Sequence, residues 1–452
     1  MDLKKRQESI LRGNMYKTIF ALSFPIMINN LIQTLYTLID GLWISKIGSV
    51  EFAATSFVWP INFLFISIGM GLSVAGTSIL SQLLGAAEHE KANKYASQLI
   101  VLAILSGIVL AGVGIIISKP LIMLMGVQDE ILYFGDIYLK LTLLDLPFMF
   151  LFAIFNATMN SQGNTVLPTV LSAISAIINT VLDPILMFTF NMGVAGAAIA
   201  TVISKAILAV AGIIILFKGN TVIKPDFKNF KFDKKIIVNS VKVALPASIG
   251  QSGSAMGFLV LNTFIVSYGT ATMAAYAMVN RITSLIMQPA MGIGTSLVSI
   301  VGQNLGANNY KRAKEGFDKA IIVTSVIGIV GGLLLIVFRE PIINFFMQSK
   351  DDMKVIEQSI TYLVIISLSM PLMGIFSVLQ GLFQGSGHTK YAMSMEIGRL
   401  WLVRLPMILL FKYFTDIGEL GIWWSMSSSN LIICIYGYLI YKKGNWMNRI
   451  SR

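Results

Sequence analysis

The residues best suited to chemistry in this sequence are two aspartates that lie within long apolar runs. Asp183 belongs to the stretch Asn179-Thr-Val-Leu-Asp183-Pro184, inside an apolar run over residues 167–190. A carboxylate at such a position is costly in a membrane and is usually functional. Asn179 and Asp183 are four residues apart and therefore share one face of a helix. Pro184 frees a backbone carbonyl one turn earlier, and that oxygen can help to hold a cation or a water.

Asp40 ends a second apolar run. Gln33, Tyr36 and Asp40 follow the spacing i, i+3, i+7, which places them on one helical face. We expect this face to meet the face that carries Asp183. Two carboxylates in a low-dielectric pocket repel each other, so the pair would bind a proton or a Na⁺. The alternative for either aspartate is a helix cap at the membrane interface.

The composition is that of a polytopic membrane protein. Of 452 residues, 55% are hydrophobic and 12% are charged, whereas soluble domains carry about 25% charged residues. The single cysteine, Cys434, excludes a disulfide framework and a cysteine metal cluster, and the two histidines, His89 and His388, argue against a histidine metal site. The charged start, residues 1–14, lacks the shape of a signal peptide.

Twelve apolar segments are long enough to cross a bilayer as helices. They cover residues 16–43, 53–81, 96–117, 135–158, 167–190, 194–217, 240–267, 273–302, 317–338, 357–380, 391–411 and 418–441.

The basic residues fall in alternate loops. With the N-terminus inside, 23 of the 34 Lys and Arg residues lie in inner segments and six lie in outer loops. This distribution follows the positive-inside rule and predicts a multi-pass protein of the cell membrane, the inner membrane where there are two, with both termini in the cytoplasm. It also accounts for the net charge of +12 without a nucleic-acid partner.

Motifs of the first half recur about 221 residues later. The matched pairs are Phe24-Pro25 with Ala244-Leu-Pro246, Met70-Gly71 with Met291-Gly292, Gln82–Ala86 with Gln303–Ala307, Gly163-Asn-Thr165 with Gly387-His-Thr389, and Asp183-Pro184 with Leu405-Pro406. The repeat predicts an N-terminal lobe (1–217) and a C-terminal lobe (240–452), each of six helices and in the same orientation. Residues 218–239 form a basic cytoplasmic linker in this interpretation. Paired bundles of this kind are typical of rocking transporters with a substrate between them.

At this point the sequence resembles the multidrug and toxic compound extrusion (MATE) family over almost its whole length. The residues that carry the resemblance are Pro25 and Asp40, the Gln82–Ala86 turn, Asn179–Pro184, Gly193–Thr201 and the echoes in the second half. The resemblance implies an all-α, V-shaped fold of twelve transmembrane helices in two six-helix bundles. It also implies export of cationic and amphipathic compounds against an inward flow of Na⁺ or H⁺.

Within that family the chain is similar to the DinF-type branch, which concentrates the cation site in the N-terminal lobe. The resemblance implies that Asp40, Asn179, Asp183 and Thr201 bind the cation, as metal ligands if it is Na⁺, and that Gln33, Tyr36 and Asn156 line the substrate cavity. Pro25 predicts a kink in the first helix and serves as its hinge. The NorM-type branch instead uses acids in the seventh and tenth helices. Here those segments hold no internal carboxylate, apart from Glu357 at the outer end of the tenth.

Other charged residues in the apolar segments are open to two interpretations. Asp145 is expected to pair with Lys140, and the alternative is that it faces the cavity. Arg281 lines the inner cavity or pairs across the bundle, and the sequence does not distinguish these.

Helix eleven holds Glu396, Arg399 and Arg404. The spacing of Glu396 and Arg399 favours a structural ion pair, and the alternative is a gate or an anion contact. Met residues repack easily and suit an adaptable drug surface. The candidates are Met256, Met287 and Met373.

The function predicted from the sequence is a secondary active multidrug exporter with no catalytic residues and no cofactor other than its coupling ion. We expect a monomer that meets small amphipathic substrates and the lipid bilayer. The same carboxylates serve H⁺ or Na⁺, so the coupling ion stays open.

A flippase for a lipid-linked or anionic substrate is the alternative, and it requires a strongly basic central cavity. An intramembrane aspartyl protease would also use two aspartates, but its Tyr-Asp and Gly-x-Gly-Asp contexts are missing. A Gly-rich phosphate loop followed by Lys is missing as well, so ATP drive is not supported.

Overall fold

A computed structural model describes residues 3–219, 221–228, 230–347 and 353–450, and within these ranges the regular structure is helical. The membrane spans are α1 Met15–Ser45, α2 Ser49–Gly85, α3 His89–Leu124, α4 Asp129–Leu143 with Leu146–Ser161, α5 Val166–Pro184 with Ile185–Thr189, α6 Gly193–Lys218, α7 Lys234–Val266, α8 Thr270–Gly306, α9 Tyr310–Val337, α10 Met353–Leu368 with Met370–Gly385, α11 Thr389–Ile397 with Gly398–Arg404 and Leu405–Phe414, and α12 Leu420–Lys442. Three short helical pieces lie outside them: Leu3–Arg12, Arg339–Phe346 and Asn445–Met447.

Each predicted segment coincides with one span, although not all spans are equally apolar. Among the described residues, eight single helices are long and apolar enough to cross a membrane, or ten when two bent pairs each count as one span. The other two spans, α11 and α12, are less apolar or less regular for physical reasons. Charged side chains and a π-helical stretch interrupt α11, and the serines and asparagine over 425–430 lower the hydropathy of α12.

Two spans that the sequence suggested to be continuous are sharply bent. The two parts of α4 meet at 44° and those of α10 at 50°. A proline follows each break, Pro147 in α4 and Pro371 in α10. Proline has no N–H and its ring clashes with the preceding turn, which favours a bend at both positions.

The bends repeat between the two halves of the chain, together with the packing around them. A Cβ atom built on Gly107 of α3 would lie 2.6 Å from the Cα of Pro147, and one built on Gly328 of α9 would lie 2.6 Å from the Cα of Pro371. Glycine at both positions therefore lets a neighbouring helix approach the bend closely.

The two halves meet where the repeated Gln-x-x-Gly motifs cross at the ends of α2 and α8. A Cβ on Gly85 would overlap the carbonyl oxygen of Gln303, and a Cβ on Gly306 would overlap that of Gln82. The glutamine side chains are also reciprocal. Gln82 donates to the Gly385 carbonyl at 3.2 Å, and Gln303 donates to the Ser161 carbonyl at 2.6 Å. Backbones in contact from both halves hold this end of the bundle together.

The described segments next to both termini lie at the same end, where the Gln7 side chain donates to the Leu84 carbonyl at 3.0 Å. The Arg449 guanidinium is 2.6 Å from the Glu88 carboxylate, and the Ile450 amide donates to the Gln82 side chain at 3.2 Å. Hydrogen bonding from Lys91, reinforced by Arg449, holds the pKa of Glu88 below its usual value. The C-terminal tail thus ties the second half of the chain to the loop before α3.

The basic linker is fixed against the first half rather than freely exposed. Gln98 of α3 donates to the Lys231 carbonyl at 2.6 Å, and Lys94 forms a 2.8 Å ion pair with Asp233. Asp233 also caps α7, which begins at Lys234, by accepting from backbone amides of its first turn. The connection is therefore shorter than the sequence suggested.

Candidate cation and substrate sites

A hydroxyl group at the centre of the N-terminal half joins three helices. The Thr201 hydroxyl of α6 lies 3.1 Å from the Ala197 carbonyl, to which it donates its one hydrogen. It therefore accepts from the other two neighbours, the Tyr36 hydroxyl of α1 at 3.2 Å and the Asn179 amide nitrogen of α5 at 3.4 Å. This bond network confirms that Tyr36, Asn179 and Thr201 meet.

Next to this network lie buried oxygens that receive no hydrogen bond of good geometry from the described residues. They are both carboxylate oxygens of Asp183, the amide oxygen of Asn179 and one carboxylate oxygen of Asp40. Asp183 is 0% exposed and Asn179 is 1% exposed. Asp40 is close enough for its charge to act on Asp183. Buried acceptors without donors are costly and call for an explanation.

The donor set suits a hard cation or a proton. Two carboxylates, an amide oxygen and a hydroxyl are oxygen ligands of the kind that hard cations prefer. Within the described ranges, no cluster of three or more His, Cys, Asp or Glu could hold a metal ion. The site is thus a mixed set of acidic and neutral oxygens rather than a transition-metal centre.

Two residues that sequence reasoning missed complete this site. The Lys205 ammonium of α6 lies 5.3 Å from the centre of the Tyr36 ring and within electrostatic reach of Asp145. Tyr138 of α4 borders, together with Asp40, a cavity of about 500 Å³ between α1 and α2. Lys205 carried a usable signal, since it lies four residues after Thr201 and so shares its helical face.

The expected pairing of Asp145 with Lys140 is wrong. Lys140 instead forms a 2.6 Å ion pair with Asp136, four residues earlier on the same helix. Residues at i, i+4 lie side by side on a helix, whereas residues at i, i+5 do not, and the α4 bend falls just before Asp145. Asp145 is buried, 9% exposed, and faces Lys205.

Of the three predicted cavity residues, Tyr36 lines a groove in the structure. It borders a groove of about 320 Å³ between α1 and α5. Gln33 and Asn156 are not among the lining residues of that groove, and Asn156 accepts a 3.0 Å hydrogen bond from Asn160. The substrate role of these residues stays a prediction.

The helix that holds Asp40 runs unbroken through Pro25. The Thr169 hydroxyl of α5 lies 2.9 Å from the Pro25 carbonyl and 2.9 Å from the Thr165 carbonyl of its own helix, so its one hydrogen is shared between them. This contact links α1 to the helix of Asp183 at the predicted hinge.

A cavity of about 450 Å³ lies within the C-terminal half, between α7, α8, α10, α11 and α12. Its charged lining residues all come from α11: Glu396, Arg399 and Arg404. The predicted Glu396–Arg399 pair forms at 3.7 Å, and the Ser254 hydroxyl also donates to Glu396 at 2.7 Å. The pair therefore borders a cavity, which the structural interpretation did not anticipate.

The remaining predictions for the C-terminal half are correct for some residues and wrong for others. Met287 and Met373 line the cavity, whereas Met256 is 43% exposed and does not. Arg281 is exposed on α8 and lies outside the cavity lining.

The geometry agrees with comparisons to known proteins. A family model described as MatE matches residues 25–185 and 246–410, once in each half. The chain belongs to the MatE family. It is therefore a multi-pass membrane transporter, not an enzyme, and the aspartyl protease alternative is wrong.

Among its relatives is a probable multidrug resistance protein of Bacillus subtilis, YoeA, which is 26% identical over 93% of this chain and 92% of that protein. The multidrug export protein MepA of Staphylococcus aureus is 26% identical over 95% of this chain and 94% of that protein.

Solved structures share the fold. A multidrug resistance MATE family transporter in an outward-facing conformation superposes with a TM-score of 0.90 at 24% identity, over 96% of this chain and 97% of that chain. A MATE structure in a bent conformation gives 0.91 at 24% identity, over 97% of each chain. The all-α fold with twelve helices in two bundles is thereby confirmed.

Proposed function

We propose that this transporter is a secondary active exporter that moves amphipathic and cationic compounds out of the cell against H⁺ or Na⁺. The observation that carries the proposal is the group of unsatisfied oxygens on Asp183, Asn179 and Asp40. Carboxylates held in a bilayer without partners are characteristic of ion and proton pathways. The multidrug names of its relatives agree with this substrate class.

Cation binding would act on the helices that carry the ligands. A proton or Na⁺ between Asp40 and Asp183 removes their repulsion and allows α1 and α5 to approach. Thr169 of α5 contacts the Pro25 carbonyl of α1, and the outer part of α1 would bend about that point. Contraction narrows the space beside Tyr36, Gln33 and Asn156 and displaces the substrate. Cation and substrate then compete, as antiport requires.

Access alternates in this scheme by rocking of the two lobes. The positive-inside distribution of Lys and Arg supports a cytoplasmic location for both termini. The end closed by Gln82 and Gln303 is then the cytoplasmic end, and rocking would open it while closing the other.

The experiment that separates the ions is transport into everted membrane vesicles with Na⁺ and H⁺ gradients imposed one at a time. One gradient should drive uptake in the wild type, and Asp183→Asn should abolish it while the protein remains in the membrane. Asp136→Asn is the matched control, because that carboxylate already pairs with Lys140 and should transport normally.

A substrate-binding titration in detergent tests competition directly. Wild-type affinity for the drug should fall as Na⁺ is raised or as pH is lowered, and Asp183→Asn should flatten this dependence. The scheme would be overturned if wild-type affinity for the drug rose with cation concentration. It would also be overturned if Asp183→Asn kept the full wild-type dependence on the cation.

The flippase alternative requires a strongly basic central cavity. The large C-terminal cavity contains two arginines and one glutamate, and Arg281 lies outside it. This arrangement gives the flippase less support than the exporter, although it raises a separate question about that cavity.

A further inference from the structure

The π-helical stretch of α11 places two arginines on the same cavity. Arg399 and Arg404 lie five residues apart within Gly398–Arg404. On an α-helix they would point about 140° apart. The π-helix brings residues i and i+5 together, and both side chains line the C-terminal cavity. Such π stretches are often found at functional sites.

One of the two positive charges has no negative partner among the described residues. Glu396 is shared by Arg399 at 3.7 Å and Ser254 at 2.7 Å. Arg404 is 5% exposed, and its acceptors in the described part of the chain are neutral: the Ser429 hydroxyl at 2.9 Å, the Asn430 side chain at 3.2 Å and the Met426 carbonyl at 3.4 Å.

The charged and titratable groups that face Arg404 do not supply a carboxylate. They are Arg399 of its own helix, Tyr276 of α8 and Tyr362 of α10. In addition, the buried Nε of Arg399 has no acceptor among the described residues. The cavity therefore holds an excess positive charge and a free donor, and burying an unpaired charge is strongly unfavourable.

The rest of the lining combines uncharged polar side chains with an aromatic and methionine surface. Tyr362 stacks between Tyr276, with ring centres 6.2 Å apart, and Trp423, with ring centres 4.1 Å apart. Met287 and Met373 add adaptable surface. A volume of about 450 Å³ is within the range of sites for drug-sized ligands.

We propose that the C-terminal cavity is a second binding site, one that takes amphipathic compounds with an anionic head group such as a carboxylate, sulfonate or phosphate. Arg404 and Arg399 hold the head group through charge-assisted hydrogen bonds. The stacked tyrosines and the methionines hold the apolar part. This site is distinct from the cation site between α1, α5 and α6 and does not depend on how transport is coupled.

The test uses the full chain in phosphatidylcholine nanodiscs with dansylaminoundecanoate and its uncharged methyl ester as probes. Dansyl fluorescence is titrated with empty nanodiscs subtracted. Arg404→Gln should weaken binding of the acid about tenfold or more, while binding of the ester stays unchanged. Arg404→Lys keeps the charge and should retain most of the affinity for the acid.

The matched control is Arg281→Gln, which removes an exposed arginine outside the cavity and should change neither affinity. Equal losses for acid and ester in Arg404→Gln, or unchanged binding of the acid, would overturn the proposal. Size-exclusion chromatography of each variant checks its folding. Asp183→Asn should bind the acid like wild type, so a failure of cation coupling leaves this result intact.

A further arm identifies the source of the anionic group. Phosphatidylglycerol is added to the nanodiscs at increasing fractions. If phosphatidylglycerol displaces the dansyl acid from the wild type and from Arg404→Lys, but not from Arg404→Gln, the site binds a lipid head group. No displacement would assign it to a free amphipathic anion.

Discussion

At the scale of single residues, the candidate sites of the two halves differ in charge. Asp40 and Asp183 lie in the N-terminal half, and the sequence position opposite Asp183 is Leu405. The neighbouring positions in α11 hold Arg399 and Arg404 instead. The repeat thus preserved the backbone and changed the charged side chains that line the two sites.

Lys205 and Asp145 should depend on each other. Lys205→Met leaves Asp145 buried without its positive neighbour, and we expect a loss of about 3 kcal/mol in the free energy of unfolding. Adding Asp145→Asn should recover most of the loss, because no charge is then stranded. Thermal unfolding of the two single variants and the double variant in one detergent measures the coupling. Additive effects in the double variant would show that the two residues do not interact.

Glu396→Gln should mainly reduce expression and stability, since Arg399 loses its only carboxylate partner among the described residues. A loss of roughly 1–3 kcal/mol is expected from the unsatisfied partner. Membrane yield and the unfolding midpoint measure it. A variant that is abundant and stable but inactive would make Glu396 a transport residue instead.

At the scale of helices, the sequence predicted what hydropathy and spacing determine. The twelve segments were correct because an apolar run must form a helix in a bilayer. The shared faces of Asn179 with Asp183 and of Tyr36 with Asp40 followed from helical spacing. Pro147 and Pro371 indicate the bends of α4 and α10 in the sequence, although both segments were predicted to be continuous.

Other features of the site depend on tertiary packing and leave no local pattern. The π-helical stretch of α11 is defined by its backbone hydrogen bonds, not by composition. The approach of Lys205 to Asp145 and Tyr36 requires α1, α4 and α6 to pack in one arrangement. A single sequence shows each charge but not its partner.

Gly85 and Gly306 should tolerate no side chain where α2 and α8 cross. Gly85→Ala forces the Gln303 backbone away, and we expect roughly 1–3 kcal/mol of destabilisation from overpacking. Gly112→Ala is the control, since a Cβ there meets nothing within 4 Å and should be neutral or stabilising. Unfolding midpoints compare them. Equal behaviour of the two variants would mean that the crossing is looser than described.

At the scale of the whole molecule, the contacts between halves concentrate at the end that carries the termini. The reciprocal glutamines, the close glycines and the tail bond from Arg449 to Glu88 all lie there. Because the two halves are joined at this end, they can separate at the opposite end, which gives the V shape.

Spin labels on both lobes at the far end test the rocking motion. Lys46→Cys after α1 and Asp416→Cys after α11 are labelled in a Cys434→Ser background, because Cys434 is the single native cysteine. Two distance populations are expected, and cation and drug should shift them in opposite directions because they compete. One fixed distance under all conditions would exclude rocking of the lobes.

The crossing of α2 and α8 has the form of a dimer interface within one polypeptide. Gln82 and Gly85 of one half meet Gln303 and Gly306 of the other by the same operation in both directions, as in an isologous contact between identical subunits. Two separately synthesised halves, 1–229 and 230–452, should therefore find each other in a membrane and co-purify. The covalent linker would then be needed less for assembly than for pairing two different halves. It keeps the half that holds Asp40 and Asp183 beside the half that holds Arg399 and Arg404, a combination that two copies of one half could not form.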